Sequence, residues 1–320
     1  KELYIGVDGG GSKTRFFLAD ADCVALKTVE TPSTNKNSVG DKVAKQNLFA
    51  GFTQLMEHPL FDESALVAVC AGMAGVNQPS DKVLVTSWIR NFFRSNEEIE
   101  VYVHSDAIIG LAAGTNGVEN GIVLISGTGM IGLGVKQHSE PVRAGGWGPL
   151  FGDIGSGYWI GTEIMKAVAQ ARDGIGSATI LDDLVQKRIG EDTDLLRWAY
   201  QSGETNKNVD TTWKRFADLA PLVFEAYEQS DEVATEIINA SAKGLFAVFS
   251  RVLHLLEPPD EEVVLVLVGG LLTHFESPLA DKVKNLVQAE YPKVTVTLPN
   301  IAPEKAAALL AINSHNSNSQ

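Results

Sequence analysis

One pattern, a strand followed by a glycine-rich turn and a second strand, occurs twice in this chain of 320 residues and constrains its fold. The first copy spans residues 3–19, with its turn at Gly9-Gly10-Gly11-Ser12. The second copy spans residues 121–135, with its turn at Ser126-Gly127-Thr128-Gly129. The repeat predicts an internal duplication of the fold.

Helical and extended patterns alternate along the rest of the chain, which is the order of an α/β fold. Two similar α/β units, each starting from one hairpin, predict two lobes around a central cleft in which a ligand binds. The length allows two hydrophobic cores, because single cores stop growing at roughly 250–300 residues. We predict an N-terminal lobe at 1–115, completed by the C-terminal helix at about 300–320, and a C-terminal lobe with a helical insertion at 116–299.

Periodicity assigns the elements outside the two hairpins. The polar residues 314–320 are predicted to be a disordered tail. The predicted strands are 66–70, 100–104, 262–268 and 294–298, and the predicted helices are 41–57, 78–91, 107–114, 162–172, 178–188, 211–229, 231–257, 278–290 and 303–312.

The charge and the cysteines limit the partners and the compartment. Lys and Arg number 26 against 40 Asp and Glu, and this net charge of -14 would repel a phosphate backbone or an anionic membrane. No apolar run approaches the roughly 20 residues that span a bilayer. Cys23 and Cys70 lie in or beside apolar runs, which is typical of reduced, buried thiols. We therefore expect a cytoplasmic protein that binds neither nucleic acid nor membrane.

The first turn carries the residue types of a phosphate and metal site. Three glycines are flanked by Asp8, by the hydroxyls of Ser12 and Thr14, and by Lys13. The pattern is not a P-loop or a dinucleotide fingerprint, because a strand rather than a helix follows it. An ordinary hairpin is the alternative.

Paired turns would hold the β- and γ-phosphates of a nucleotide from opposite sides, as in an actin-like ATPase. Backbone N–H groups and the hydroxyls of Ser12 and Thr128 would be the donors. Gly269-Gly270 follows an apolar strand and would let adenosine lie against a helix N-terminus. A strand-to-helix turn without a ligand is the alternative for this pair.

Asp106 follows the strand at 100–104, and ligands collect at the carboxyl ends of strands in open α/β sheets. A carboxylate in this position would accept the proton of a sugar hydroxyl as that hydroxyl attacks the γ-phosphorus. The alternative is an N-cap, because Asp before an alanine-rich helix is a common cap.

Residues 144–161 contain many glycines and aromatic residues with one carboxylate, Asp153. Such a loop resembles a carbohydrate pocket, in which rings supply apolar faces and polar groups bind hydroxyls. An interdomain hinge with packed aromatic residues is the alternative. Asn35, in a polar loop, would offer an amide to sugar hydroxyls, although by itself it is only a polar loop residue.

These segments together resemble the N-acetylglucosamine and glucosamine kinases of the BadF/BadG-type branch of the actin-like ATPase superfamily. The resemblance covers nearly the whole chain. Its ordered markers are Asp8 to Ser12, Thr34-Asn35 before Val39-Gly40, Gly72 to Gly75, Ser105-Asp106-Ala107, Ser126 to Gly129, Gly145 to Gly148 with Gly152-Asp153, and Gly269-Gly270.

The resemblance implies a duplicated ribonuclease H-like fold, Mg-ATP, transfer to the 6-hydroxyl of an amino sugar, and frequently a homodimer. It implies that Asp106 is the general base and that Asp8 holds Mg²⁺ through water, since Mg²⁺ tends to keep its water ligands. The implied sugar contacts are Asn35, Gly75, Trp147, Gly148 and Asp153. The implied nucleotide contacts are Gly9, Gly10, Gly11, Ser12, Gly127, Thr128, Gly269 and Gly270, to which the pattern of the first turn adds Lys13.

Two positions depart from the family pattern. Ile154 stands where the family commonly has Glu, so a carboxylate expected beside the acetamido or anomeric end of the sugar is absent. Glu304-Lys305-Ala306 lacks the glycine that often precedes the alanine, which we attribute to packing of the last helix.

Two other functions are compatible with the same fold. An ATP-driven activase of radical dehydratases would bridge an iron–sulfur cluster with cysteines near a subunit interface, whereas Cys23 and Cys70 are predicted in core strands. A non-catalytic sugar sensor would not need the base and both phosphate turns. The sequence therefore favours a kinase.

Overall fold

The computed structural model describes residues 2–76, 78–136, 139–200, 212–257, 262–274 and 276–318. They form two compact units, one within Lys1–Asn120 and Pro299–Gln320 and the other within Gly121–Leu298. The predicted lobes at 1–115 and 116–299 stay a proposal about domains. None of the described helices is long and apolar enough to cross a membrane.

Strands and helices are numbered in chain order. The strands are β1 (Leu3–Gly9), β2 (Lys13–Asp20), β3 (Ala25–Pro32), β4 (Leu66–Met73), β5 (Glu100–Ser105), β6 (Gly121–Ser126), β7 (Met130–Val135), β8 (Val142–Gly145), β9 (Val264–Val268) and β10 (Thr295–Thr297). The helices are α1 (Lys36–Val39), α2 (Asp41–Met56), α3 (Pro79–Phe92), α4 (Asp106–Gly114), α5 (Gly157–Arg172), α6 (Leu181–Ile189), α7 (Leu195–Tyr200), α8 (Thr212–Ala217), α9 (Pro221–Glu228), α10 (Glu232–Leu256), α11 (Gly270–Thr273), α12 (Pro278–Glu290) and α13 (Pro303–Asn318).

The two units share one sheet topology. The order is β3-β2-β1-β4-β5 in the first unit and β8-β7-β6-β9-β10 in the second. In each unit the first three strands in chain order form antiparallel pairs with their neighbours. The fourth strand pairs in parallel with the first, and the fifth pairs in parallel with the fourth. The predicted duplication and α/β class are confirmed. The edge strands β3 and β8 were not predicted from the sequence.

Each unit has its own hydrophobic core. In β1, Leu3, Ile5 and Val7 point to one face of the sheet, because strand side chains alternate. This face packs against α2 and α3, whose buried residues include Phe52 and Trp88. The core of the second unit gathers β6, β9 and the helices around the long α10.

The opposite face of β1 is covered by α13. A Cβ atom added at Gly6 would overlap the carbonyl oxygen of Glu304 and the backbone nitrogen of Ala308. The ring of Tyr4 lies 6.2 Å from that of His315, centroid to centroid. Helix α13 therefore runs antiparallel to β1, with its first turn at the Asp8 end of the strand.

The prediction of a disordered tail at 314–320 is wrong for its described part, because α13 continues to Asn318. Tertiary contacts hold this last turn on the sheet. Asn318 donates a hydrogen bond of 3.1 Å to the hydroxyl of Tyr102, and Nδ1 of His315 lies 3.3 Å from Oε2 of Glu100. Residues 319–320 lie outside the described residues.

The helix predicted at 211–229 is wrong as a single element. It consists of α8 and α9, with a break before Pro221. Proline lacks the amide hydrogen that a helix interior needs, but it suits the first helical position, so α9 begins there. Residue 211 lies outside the described residues, and α7 was not predicted.

Substituting Gly6 by Ala tests the contact between β1 and α13. We expect Gly6→Ala to lower the free energy of unfolding by about 3 kcal/mol or more, because backbone atoms cannot move aside for the added methyl group. Chemical denaturation monitored by circular dichroism measures the change. Gly11→Ala is the control, because no atom lies within 4 Å of its added Cβ; equal stability of the two variants would contradict the contact.

Candidate active site

The first unit brings Asp8 and Asp106 to one edge of its sheet. Strands β1, β4 and β5 are parallel, and Gly72 of β4 pairs with both Asp8 and His104. One strand separates β1 from β5, so the backbones of Asp8 and His104 are about 10 Å apart, and Asp106 follows β5 directly. The N-cap of α4 is Ser105, and Asp106 is the first residue of the helix. The alternative interpretation, in which Asp106 is the N-cap of this helix, is therefore wrong.

The surroundings of Asp106 make it a stronger base than an ordinary aspartate. The side chain is open to solvent, but the protein packed around it raises its pKa by desolvation. A hydrogen bond of 3.0 Å from the amide of Ala107 to Oδ1 opposes this effect. The carboxylate remains available at the edge of the sheet.

Asp8 is a partly buried carboxylate without a hydrogen bond or ion pair to the residues that the structure describes. Burial and then the charges of Glu304 and Asp106 raise its pKa to about 6, while Arg15 acts in the opposite direction. The guanidinium of Arg15 instead bonds Glu30, with Nε 3.3 Å from Oε2. Asp8 therefore lies where a cation would be stabilised.

The donor set suits a hydrated rather than a bare metal ion. The described His, Cys, Asp and Glu side chains form no group of three that could hold a metal directly. Mg²⁺ usually keeps several water ligands and needs only one or two carboxylates. The unpaired carboxylate of Asp8 fits such an ion.

Two buried hydroxyl residues, Ser33 and Thr34, fix the first glycine turn. The hydroxyl of Ser33 donates to the carbonyl oxygen of Gly10 at 3.0 Å, and the hydroxyls of Thr14 and Thr34 lie 2.9 Å apart. A Cβ at Gly9 would lie 2.6 Å from Oγ1 of Thr34, so this position needs glycine. We did not identify the role of Ser33 from the sequence.

The tip of this turn leaves backbone donors available. Gly10 donates its amide to the carbonyl of Lys13 at 2.9 Å, whereas the amides of Gly11 and Ser12 have no partner among the described residues. The ammonium group of Lys13 lies 2.9 Å from Oε2 of Glu30. Unpaired N–H groups of this kind can bind phosphate oxygens.

Asn35 and Gly75 lie together in the first unit. Asn35 is the N-cap of α1, and its Oδ1 accepts a hydrogen bond of 3.0 Å from the amide of Asn37. Gly75 has a φ of 86°, and a Cβ there would overlap Oδ1 of Asn35. An ion pair of 2.6 Å between Lys36 and Asp81 connects this corner to α3. The side-chain NH₂ of Asn35 can therefore point to a ligand while its oxygen is held.

In the second unit, the turn at 127–129 is held by the first residues of α5. The amides of Gly157 and Tyr158 donate to the carbonyls of Gly127 and Thr128 at 2.7 Å and 3.1 Å. The amide of Thr128 has no partner among the described residues. The second turn thus also presents a free backbone donor.

Gly269 lies against this second turn. It has a φ of 97°, and a Cβ there would overlap the carbonyl oxygen of Ser126. Gly269 is the N-cap of α11. The turn from β9 into this helix is therefore enough to explain a glycine at position 269, without a ligand. Gly270 is exposed, and nothing lies within 4 Å of its added Cβ. The four predicted nucleotide contacts of this unit are thus neighbours.

Trp147, Gly148 and Asp153 belong to a loop that lies beside the same turn. The amide of Gly148 donates to Oδ1 of Asp153 at 3.3 Å, and Oδ2 of Asp153 is 3.3 Å from a Cβ added at Gly129. Trp147 is 70% exposed, and the guanidinium carbon of Arg143 lies 5.0 Å from the centre of its ring. The loop therefore presents an aromatic surface and an ordered carboxylate.

Ile154 packs against α10. Its Cγ2 would overlap a Cβ added at Gly244, so Gly244 makes room for the isoleucine. Ile154 as a whole is 46% exposed. Ile154, which departs from the family pattern, thus presents a partly exposed apolar side chain that α10 holds in place.

Comparisons with known proteins agree on one family. Residues 5–311 match the sequence model described as the BadF/BadG/BcrA/BcrD ATPase family. The chain is 34% identical to the N-acetyl-D-glucosamine kinase of Dictyostelium discoideum, covering 98% of this chain and 99% of that protein. It is 33% identical to the N-acetylmuramic acid/N-acetylglucosamine kinase of Clostridium acetobutylicum, covering 91% of this chain and 92% of that protein.

A solved structure extends the likeness to the fold. The structure of a candidate N-acetylglucosamine kinase from Chromobacterium violaceum superposes with a TM-score of 0.68 at 25% identity. The match covers 97% of this chain and 98% of that one. The predicted actin-like ATPase fold is confirmed.

The raised pKa of Asp8 predicts a pH-dependent stability. The folded protein binds this proton more tightly than the unfolded chain, so the stability contributed by the protonated group is lost as pH rises through about 6. A rise from 3.8 to about 6 corresponds to at most about 3 kcal/mol. We therefore expect metal-free Asp8→Asn to be more stable than the wild type at pH 7 by about 1–3 kcal/mol.

Denaturant titrations in EDTA between pH 4.5 and 7.5 measure this difference. The advantage of Asp8→Asn should shrink as the pH falls. Asp22→Asn, at an exposed carboxylate, is the control. A difference between Asp8→Asn and the wild type that does not vary with pH would be evidence against the raised pKa.

Proposed function

The chain belongs to the BadF/BadG/BcrA/BcrD ATPase family, and we propose that it is an ATP-dependent kinase that phosphorylates N-acetylglucosamine at its 6-hydroxyl. The observation that carries this proposal is Asp106, a carboxylate at the end of β5 whose pKa is raised and which is open to solvent. Near it lie the unpaired Asp8 and a glycine turn with free amides.

Phosphoryl transfer needs correct positioning, charge stabilisation and a group that accepts the proton of the attacking hydroxyl. In the proposed reaction, Asp106 accepts the proton of the sugar hydroxyl as the bond to the γ-phosphorus forms. A raised pKa suits this role, because the proton affinity of a base helps to determine how well it catalyses the transfer.

The phosphates of ATP would be bound by backbone amides rather than by a cluster of cations. The amides of Gly11, Ser12 and Thr128, which have no partner among the described residues, are suitable donors. In a chain with a net charge of -14, such local donors are needed to hold a polyanion. Asp8 would hold Mg²⁺ through water, and the ion would neutralise charge on the phosphates.

We propose that the sugar contacts are the residues that the family resemblance implies, namely Asn35, Gly75, Trp147, Gly148 and Asp153. Gly9, Gly10, Lys13, Gly127, Gly269 and Gly270 complete the proposed nucleotide contacts. The order and spacing of these residues and the relatives named above support the assignment.

The position of Ile154 favours an N-acetylated sugar over a free amine. An apolar surface can contact the methyl group of an acetamide, whereas it offers no partner to the ammonium group of glucosamine. The Dictyostelium relative, which is 34% identical, is described as an N-acetyl-D-glucosamine kinase. We therefore place N-acetylglucosamine ahead of glucosamine.

The compartment and the oligomeric state remain part of the proposal. Free, buried Cys23 and Cys70 are compatible with the reducing cytoplasm that we predict. The same burial argues against an iron–sulfur activase, because Cys70 is fully buried and Cys23 is 7% exposed. The homodimer implied by the family stays a prediction.

The substitution Asp106→Asn tests the proposed base. We expect kcat to fall by a factor of about 10²–10⁴, because an amide cannot accept the proton, while the fold is retained. Coupled detection of ADP release with N-acetylglucosamine, glucosamine, N-acetylmannosamine and glucose measures both the rate and the preference.

Asp22→Asn is the matched control for this experiment, because it changes an exposed carboxylate in the same unit. It should keep the wild-type kcat. Full turnover by Asp106→Asn would exclude Asp106 as the base. If the wild type phosphorylates none of the four sugars, the proposed kinase activity itself fails.

A further inference from the structure

Glu304 is a buried acidic side chain that the sequence pattern did not connect with the site. It lies in the first turn of α13 and is 8% exposed. Its Oε2 is fully buried and has no hydrogen-bond partner among the described residues. A buried carboxylate without a partner is unfavourable, so a native protein usually keeps one only where something satisfies it.

A helix cap does not explain Glu304. Acidic residues are common in the first turn of a helix, where they interact with the helix dipole and with free amides. In this chain no amide of the described residues donates a hydrogen bond to the Glu304 side chain. The buried oxygen therefore has another ligand or remains unsatisfied.

The packing of α13 on β1 brings Glu304 to Asp8. The backbone of Glu304 lies directly over Gly6, and Gly6 and Asp8 share one face of the strand because side chains alternate. Tyr4 lies beside His315, near the end of α13, whereas Gly6 lies beside Glu304 and Ala308. The first turn of the helix therefore lies at the Asp8 end of β1.

Geometry alone brings the two acidic residues to one place. Glu304 lies in the first turn of α13, over Gly6, and Asp8 is the next residue on the same face of β1. Asp8 and Glu304 thus belong to the same end of β1, and neither carboxylate forms an ion pair with a described residue. A divalent cation would satisfy both.

We propose that Glu304 is a second carboxylate for the metal ion of this kinase, accepting hydrogen bonds from the water ligands of an ion that Asp8 also holds. This inference rests on the proposed function, in which Mg²⁺ accompanies ATP. The described acidic residues do not converge closely enough to bind a bare ion, so the water ligands bridge the distance. Glu304 is a positioning residue, because it contacts the ion only through water.

Binding of Mn²⁺ in place of Mg²⁺ tests the role of Glu304 without any turnover. Electron paramagnetic resonance measures free Mn²⁺ in titrations of the full chain with a non-hydrolysable ATP analogue present. We expect Glu304→Gln to weaken Mn²⁺ binding by a factor of about 10–100, as loss of an outer-shell partner does elsewhere. Glu304→Asp, which keeps the charge on a shorter side chain, should recover part of this loss.

Glu97→Gln is the matched control, because Glu97 is exposed in the same unit. Thermal melting without metal checks folding, and Glu304→Gln should melt no lower than the wild type because it removes a buried charge. If Glu304 is merely structural, Glu304→Gln would lower the melting temperature and leave the Mn²⁺ dissociation constant within twofold of the control, which would overturn the inference.

The failure of this inference can be told apart from failure of the proposed function. If the wild type binds Mn²⁺ with the nucleotide and Glu304→Gln binds it equally well, only the role of Glu304 is wrong. If the wild type does not bind Mn²⁺ with the nucleotide, the metal-dependent kinase and the role of Glu304 both fail.

Discussion

The packing of the last helix on the first strand is the contact on which the first unit and its candidate site both depend. Without a side chain at Gly6, the backbone of α13 lies directly on β1. Buried alanines continue this close approach along the helix, at 306, 307, 308 and 311. Because the two elements lie at opposite ends of the sequence, the first unit is complete only when almost the whole chain has been made. The same contact carries Glu304 to the strand end that holds Asp8.

The acidic residues at this edge of the sheet reduce stability and provide the proposed chemistry. Burial and mutual repulsion raise the pKa of Asp8, and desolvation raises the pKa of Asp106. Such arrangements persist in native proteins chiefly where function requires them. A hydrated divalent cation with a nucleotide would relieve the repulsion around Asp8. These carboxylates therefore lie where the proposed metal ion and nucleotide would bind.

The features that were predictable from the sequence are those encoded by local patterns. The glycine turns and apolar strands of both hairpins are contiguous in the chain, so the duplication could be recognised directly. The edge strand β3 could not be recognised in this way, because half of its residues are exposed and its sequence shows little apolar alternation. It forms by pairing with β2, as in the pair Phe16 and Val29. The position of Glu304 also depends on tertiary packing, over a separation of about three hundred residues. No local pattern could indicate that its carboxylate would be buried beside Asp8.

The central claim is that the chain transfers the γ-phosphoryl group of ATP to the 6-hydroxyl of N-acetylglucosamine. The most direct measurement is proton-coupled ³¹P NMR of the products formed from Mg-ATP and this sugar. The account predicts ADP and, in equal amount, a phosphomonoester whose signal is split by the two protons on C6. Release of ADP with inorganic phosphate and no sugar phosphate, or a phosphate coupled to the single proton of another carbon, would contradict it.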